Sequence, residues 1–232
     1  MNTPGDAVSS TASTPESRAL ASQGISGGTP FYEWAVRGIE ADISRATAIL
    51  DLGCGHGYFG AFLHQRFDRR PHGLDVVRHA QFTETSYASF ALKNLETVEP
   101  TERRHEVIFA IGLIEYFPNP RAFMKSLPAL LAPGGKVVLT SPNPASLRSL
   151  LSLVRRGEFS AFREVSNPAS ITPVLPVDAV RMLREAGFTR IAIDYSNDGR
   201  VPFTRGLCYQ RLLPFLKGRL WSDNFRIVAS LG

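Results

Sequence analysis

"AILDLGCGHGYFGAFL", Ala48 to Leu63, is the stretch on which the fold turns, because it fits two frames at once. An apolar run meets an acid, and four glycines fall within the ten residues from Asp51 to Gly60. In one frame Gly55-His56-Gly57-Tyr58-Phe59-Gly60 spells G-x-G-x-x-G. In the other, Asp51-Leu52-Gly53-Cys54-Gly55-His56-Gly57 spells acid-x-G-x-G-x-G. Both describe a strand that delivers the chain to a tight turn, where glycine lets the backbone approach a ligand that a Cβ would block. Packing of a helix on a strand does not by itself ask for four glycines beside an acid.

Outward from this loop, strands and helices alternate. "PFYEWAVRGIEADI" places Phe31, Trp34, Ala35 and Ile39 at helical spacing. "TAIL" (47–50) reads as a short buried strand, with a helix over 58–67 after the loop. "PHGLD" (71–75) is a second strand, followed by a short helix, and "ASFALK" (88–93) a weaker third. "EVIFAIG" (106–112) is a strong fourth, 120–132 a helix interrupted at Pro128, and "GGKVVLTS" (134–141) a fifth. A helix over 176–187 and strands over 190–196 and 224–230 close the chain. Near-continuous apolar strands alternating with helices predict an α/β fold, a mostly parallel sheet covered on both faces. Residues 1–28 hold few large aliphatics and are expected to be flexible. One domain then spans 29–232, with insertions at about 143–175 and 197–223.

Two features choose between the frames. A dinucleotide would set its pyrophosphate beside Asp51, which is repulsive, whereas an ammonium or sulfonium there is attracted. The two closing strands suit an antiparallel hairpin better than further parallel units. "ILDLGCGHG", "GLD", "EVIFAIGLIEYF" and "LLAPGGKVVLTSPN" resemble, in order and spacing, the motifs of class I S-adenosylmethionine-dependent methyltransferases, over about 31–232. The resemblance implies a Rossmann-like sheet of seven strands with the last antiparallel, S-adenosyl-L-methionine as cofactor, and no metal.

Carried onto this sequence, the resemblance assigns Asp51, Gly53, Cys54, Gly55 and Gly57 to the loop around the methionine portion. Asp75, followed by Val76, would accept hydrogen bonds from both ribose hydroxyls. Asn94 aligns where relatives often carry an aspartate to the adenine amino group. Ala110, Ile111 and Gly112, ending the fourth strand, would line the cofactor. Tyr32 has two readings, a cover over the methionine end or an amphipathic core aromatic. The acceptor would sit over the ends of the fourth and fifth strands, which points to Glu115 and Tyr116 as catalytic residues and to Asn143 as a substrate contact.

Methyl transfer needs alignment above all, and a hydroxyl acceptor also wants a general base. The five histidines are read as surface or packing residues, which leaves Glu115 as the base if burial raises its pKa. The stretch from Asn143 through "SITPVLPVDAVRMLREAGF" resembles, more loosely, methyltransferases of glycan and lipid-linked saccharide biosynthesis. Ser170 stands where those often have a histidine. The second insertion, with Arg200, Arg205, Arg211, Lys217 and Arg219 among Phe203, Leu212, Phe215 and Trp221, reads as a wall or lid beside the substrate. The other reading is a basic-apolar surface for a phosphorylated or lipid-linked acceptor at a membrane.

Composition narrows the rest. A formal charge of +5 over 232 residues, with the basic residues interrupted by apolar ones, does not point to nucleic acid. Two cysteines without metal or disulfide spacing, no secretory signal and no span-length apolar run lead us to expect a cytoplasmic protein. The expected function is methylation, at oxygen, of a small-molecule or saccharide acceptor. The alternatives are an NAD(P)-dependent oxidoreductase using the other frame, and an inactive partner protein that keeps the cofactor.

Overall fold

A computed structural model describes residues 14–22, 27–96, 103–202, 204 and 206–232. Its strands are β1 (Ile49–Leu52), β2 (His72–Asp75), β3 (Ser89–Leu92), β4 (His105–Ile111), β5 (Leu131–Pro142), β6 (Phe188–Tyr195) and β7 (Asn224–Leu231). They form one sheet in the order β3-β2-β1-β4-β5-β7-β6. β7 runs antiparallel to both β5 and β6, while β1 to β5 are mutually parallel. This is the seven-stranded, Rossmann-like sheet with an antiparallel last strand that the sequence predicts.

Side chains alternate across the sheet, so each central strand feeds two cores. Leu50, Leu52, Ile108 and Leu139 join Phe123, Leu183 and Phe225 on one face. That face is covered by α5 (Pro120–Ser126) and α7 (Pro176–Glu185). Ile49, Phe109 and Val138 join Ile43, Phe59 and Leu63 on the other. That face carries α2 (Thr29–Val36), α3 (Glu40–Arg45) and α4 (Tyr58–Phe67). Buried Arg226 on β7 fastens α2 to the sheet by donating to the carbonyls of Trp34, Ala35 and Arg37 (2.7–3.1 Å). A cation at the carbonyl end of a helix is favourably placed there.

Four details depart from the sequence reading. β1 extends through Asp51 rather than stopping before it. The stretch after Asp75 is irregular and ends in a single 3-10 turn, Glu84–Ser86, where a short helix is expected. The helix is interrupted at Pro128 as expected, in a 3-10 turn over Leu127–Leu130, but it does not resume, and β5 starts at Leu131 rather than Gly134. The segment expected to be flexible contains helix α1 (Pro15–Ser22), whose Arg18 is buried against Glu96. Residues 1–13 and 23–26 of that segment, and Phe203 and Arg205 of the second insertion, lie outside the described residues. The first insertion holds α6 (Leu147–Arg156) and the second a short helix, α8 (Tyr209–Leu212). Among the described residues no helix is long and apolar enough to cross a membrane.

Candidate active site

The site lies beyond the carboxyl ends of β1, β2, β4 and β5, on both sides of the point where strand order reverses. The glycine loop leaves β1 with Gly53 at φ +70°, where an added Cβ would lie 2.6 Å from Leu113 Cδ1. Backbone alone fits there. The Gly55 N–H donates to Asp75 Oδ2 at 2.7 Å, and the Val76 N–H donates to Oδ1 at 2.7 Å. The loop and the acid that ends β2 are thus one hydrogen-bonded unit.

Asp51 is held from an unexpected direction. The Tyr87 hydroxyl donates to Asp51 Oδ2 at 2.6 Å and accepts the Gly60 N–H at 3.1 Å. The Tyr87 ring fills the space that a side chain at Gly60 would need, since a Cβ there would approach it to 2.3 Å. The fourth glycine therefore makes room for Tyr87 rather than for a ligand. Burial drives the Asp51 carboxyl up to about 7, with the Tyr87 hydrogen bond opposing and Asp75 reinforcing.

Two small cavities divide the expected cofactor residues. Tyr32, Asp51, Gly53, Cys54 and Ile111 surround one. Gly53, Gly55, Asp75, Val76 and Gly112 line the other, together with the buried imidazole of His79, which stacks on His56. Burial pushes the Tyr32 phenol up to about 12 and pushes the Cys54 thiol up as well, so both stay protonated at neutral pH. Gly57 caps α4 at φ +84°, shaping the loop from behind. Helix α1 is seated over the second cavity, contributing Arg18, Ala19 and Ser22, and leaves 60 Å³. That is well below the ~300–1,000 Å³ of ordinary small-molecule sites.

Three expected residues are placed elsewhere. Asn94 is exposed and spends its Oδ1 on the Glu96 N–H (2.9 Å), while Leu95 and Glu96 reach the cavity instead. Ala110 is wholly buried in the core beneath the site. Asn143 is buried and saturated: its Nδ2 donates to the carbonyls of Arg219 (2.7 Å) and Ser222 (2.9 Å), and its Oδ1 accepts from the Ala145 N–H (3.1 Å). With each polar atom engaged by the main chain, it ties the second insertion to β5, and both of its N–H donors are spent.

Glu115 and Tyr116 do sit at the junction. Tyr116 borders the cofactor cavity and, with Glu115, Ser141 and Thr140, a second cavity of 410 Å³. Glu115 also lines a third, of 450 Å³, that runs toward Arg148, Arg163 and Arg200. The Glu115 side chain is 3 % exposed, and its Oε2 has no hydrogen-bond partner among the described residues; neither does Ser141 Oγ. Burial raises its carboxyl from 4.5 to about 7, against the opposing pull of its own amide and the nearby Ser141 hydroxyl. The Tyr116 hydroxyl accepts from Asn167 Nδ2 at 3.0 Å, and burial and Glu115 push it up to about 12.

S-adenosylmethionine fits these residues by the chemistry of the donor set. A buried carboxylate without a cation, Asp51, faces the loop; a second carboxylate, Asp75, follows it; and Gly53 leaves a cradle that a Cβ would fill. No group of three or more histidine, cysteine or acidic side chains suited to a metal occurs among the described residues.

The sequence profile of the methyltransferase domain family matches residues 32–193. A ubiquinone biosynthesis O-methyltransferase of Idiomarina loihiensis is 25% identical over 155 residues, covering 63% of each chain. One from Coxiella burnetii is 25% identical over 112 residues, covering 45% of this chain and 48% of that one. The chain thus spans about half to under two thirds of the length of these curated relatives. A SAM-dependent methyltransferase of Archaeoglobus fulgidus shares the fold with a TM-score of 0.61 at 16% identity, over 86% of this chain and 92% of that one. The family match also settles the glycine frame, since it leaves G-x-G-x-x-G as a coincidence of spacing and removes the oxidoreductase alternative. From loop, sheet order and profile together, the chain belongs to the methyltransferase domain family, and it has the fold of S-adenosylmethionine-dependent methyltransferases.

Proposed function

We propose that this chain methylates a hydroxyl oxygen of a small-molecule or saccharide acceptor, with Glu115 as the base. The observation that carries the reading is the Glu115 carboxylate, buried, with Oε2 unpartnered, where the cofactor side meets two larger cavities. S-adenosylmethionine, when bound, supplies an electrophilic methyl group on its sulfonium. Asp75 would hold the ribose hydroxyls, the Gly53–Gly55 backbone the methionine chain, and Asp51 its ammonium group.

A carboxyl that titrates near 7 is matched to taking a proton from a hydroxyl at neutral pH, with Oε2 as the accepting atom. Tyr116 stays protonated there, and its hydroxyl, fixed by Asn167, is a positioning group for the acceptor. The O-methyltransferase names of the curated relatives support oxygen as the methylated atom.

The test is transfer of labelled methyl to a panel of hydroxylated acceptors, phenols and sugars among them. Glu115→Gln should lower turnover by about 10²–10⁴-fold while cofactor affinity is unchanged. Turnover that survives the substitution would remove the base. A chain that binds cofactor yet methylates nothing in the panel would instead favour a partner protein that has kept only the binding half.

A further inference from the structure

Beyond Glu115, the cavity of 450 Å³ shares Arg148, Ser160, Arg163 and Arg200 with a neighbouring cavity of 280 Å³. α6 adds Arg155 and Arg156 to the second cavity, so guanidinium groups from three segments converge on one concave surface. Spacing explains the α6 contribution. Residues 148, 152, 155 and 156 recur at helical intervals and so share one face.

Asp223 is the one carboxylate that pairs with Arg148 (3.3 Å) and Arg200 (2.9 Å) among the described residues. Arg163 donates to Ser166 Oγ at 3.0 Å, and its Nε is buried without a partner. Burial lowers the Arg148 pKa, and the nearby Arg200 and Arg163 add to that, with Asp223 opposing. Holding like charges together in a half-buried hollow is costly unless an anion joins them. Planar guanidinium forks match the oxygens of a phosphate in pairs.

We infer that this arginine-lined hollow binds the phosphate or diphosphate group of the acceptor, whose remaining part extends along the shared cavity to Glu115. The inference rests on taking the Glu115 cleft as the acceptor site, and it names the acceptor class as phosphorylated. Leu151 in the same lining suits an acceptor that also carries an apolar portion. A soluble sugar phosphate and a lipid-linked one share this chemistry.

The experiment titrates inorganic diphosphate into the full chain preloaded with S-adenosylhomocysteine, by calorimetry. Saturable binding is expected, weakened about tenfold or more by Arg163→Gln with Arg200→Gln, while S-adenosylhomocysteine affinity stays constant. Arg156→Gln, at an exposed position, provides a second variant with little risk to folding and should weaken binding about threefold. Pelleting with phosphatidylcholine vesicles, with and without phosphatidic acid, separates the sources. Pelleting reversed by diphosphate identifies a lipid-borne phosphate, and diphosphate binding without pelleting identifies a soluble one.

Absent diphosphate binding, or equal binding by folded variants, overturns the inference and leaves the methyltransferase reading standing. Diphosphate binding without methyl transfer to any hydroxyl would overturn the proposed reaction and leave the anion site standing.

Discussion

The two halves of the site share Gly112 and Tyr116, yet they hold their carboxylates differently. On the cofactor side, Asp75 takes the Gly55 and Val76 amides and Asp51 takes Tyr87, so both carboxylates are engaged before any ligand arrives. On the acceptor side, Glu115 Oε2 and Arg163 Nε are buried without partners among the described residues, as is His56 Nδ1 in the glycine loop. Unsatisfied buried groups cost stability, and where several face one cleft they mark the place where a ligand completes the structure. The Asp75 and Asp51 carboxylates are finished in advance; the Glu115 carboxylate is left open.

That contrast can be broken at several points. The largest effect is expected on the finished side. Asp75→Ala removes both the ribose partner and the acceptor that holds the loop, and should cost about 10²–10³ in S-adenosylhomocysteine affinity by calorimetry. An unchanged affinity would mean that the loop is not the cofactor cradle.

On the unfinished side, Glu115→Gln should do the reverse to stability. Folding raises the Glu115 pKa, so the folded chain keeps a proton that the unfolded chain releases. Its contribution favours folding below about 4.5 and is lost as pH rises through about 7. At pH 8 the substitution should therefore raise Tm, by up to about 3 kcal/mol of stability, and the gain should vanish near pH 4. A Tm that falls at pH 8 would show that the carboxylate is satisfied after all.

Asn143→Ala sharpens the border between the halves. Leaving two buried carbonyls and one amide unpaired should cost about 2–3 kcal/mol, read as a lower Tm, with cofactor affinity intact. Loss of acceptor binding alone, with Tm unchanged, would restore it as a substrate contact. The smallest effect concerns Asp51. An ammonium ligand needs the carboxylate, whose pKa stands at about 7 in the free chain. Cofactor affinity should then fall by up to about tenfold per pH unit below 7, with proton release on binding detectable from the buffer dependence of the heat.

What was legible in the sequence was local. Gly53, Gly55, Gly57 and Asp75 declare themselves because turn geometry and strand ends are written in neighbouring residues. Tyr87 was hidden by the 36 residues that separate it from Asp51, although Gly60 carried its imprint as a glycine with no turn to make. Asn143 is hard to read for the same reason: a polar residue at a strand end looks available until its partner, 76 residues later, is known. Asn94 lies one register step from the wall, which its neighbours Leu95 and Glu96 hold. Composition also averaged away α1, which pairs Arg18 with the distant Glu96.

Asp223 has a further consequence through its two arginines. Arg148 belongs to the first insertion and Arg200 to the second, and the same carboxylate clasps both. Asn143 adds a second clasp through the carbonyls of Arg219 and Ser222. Neither insertion can be exchanged alone without stranding a charge or a carbonyl of the other. A chimaera that seeks a new acceptor would have to transplant 143–175 and 197–223 as a matched pair, with β5 and β7 as the fixed frame between them.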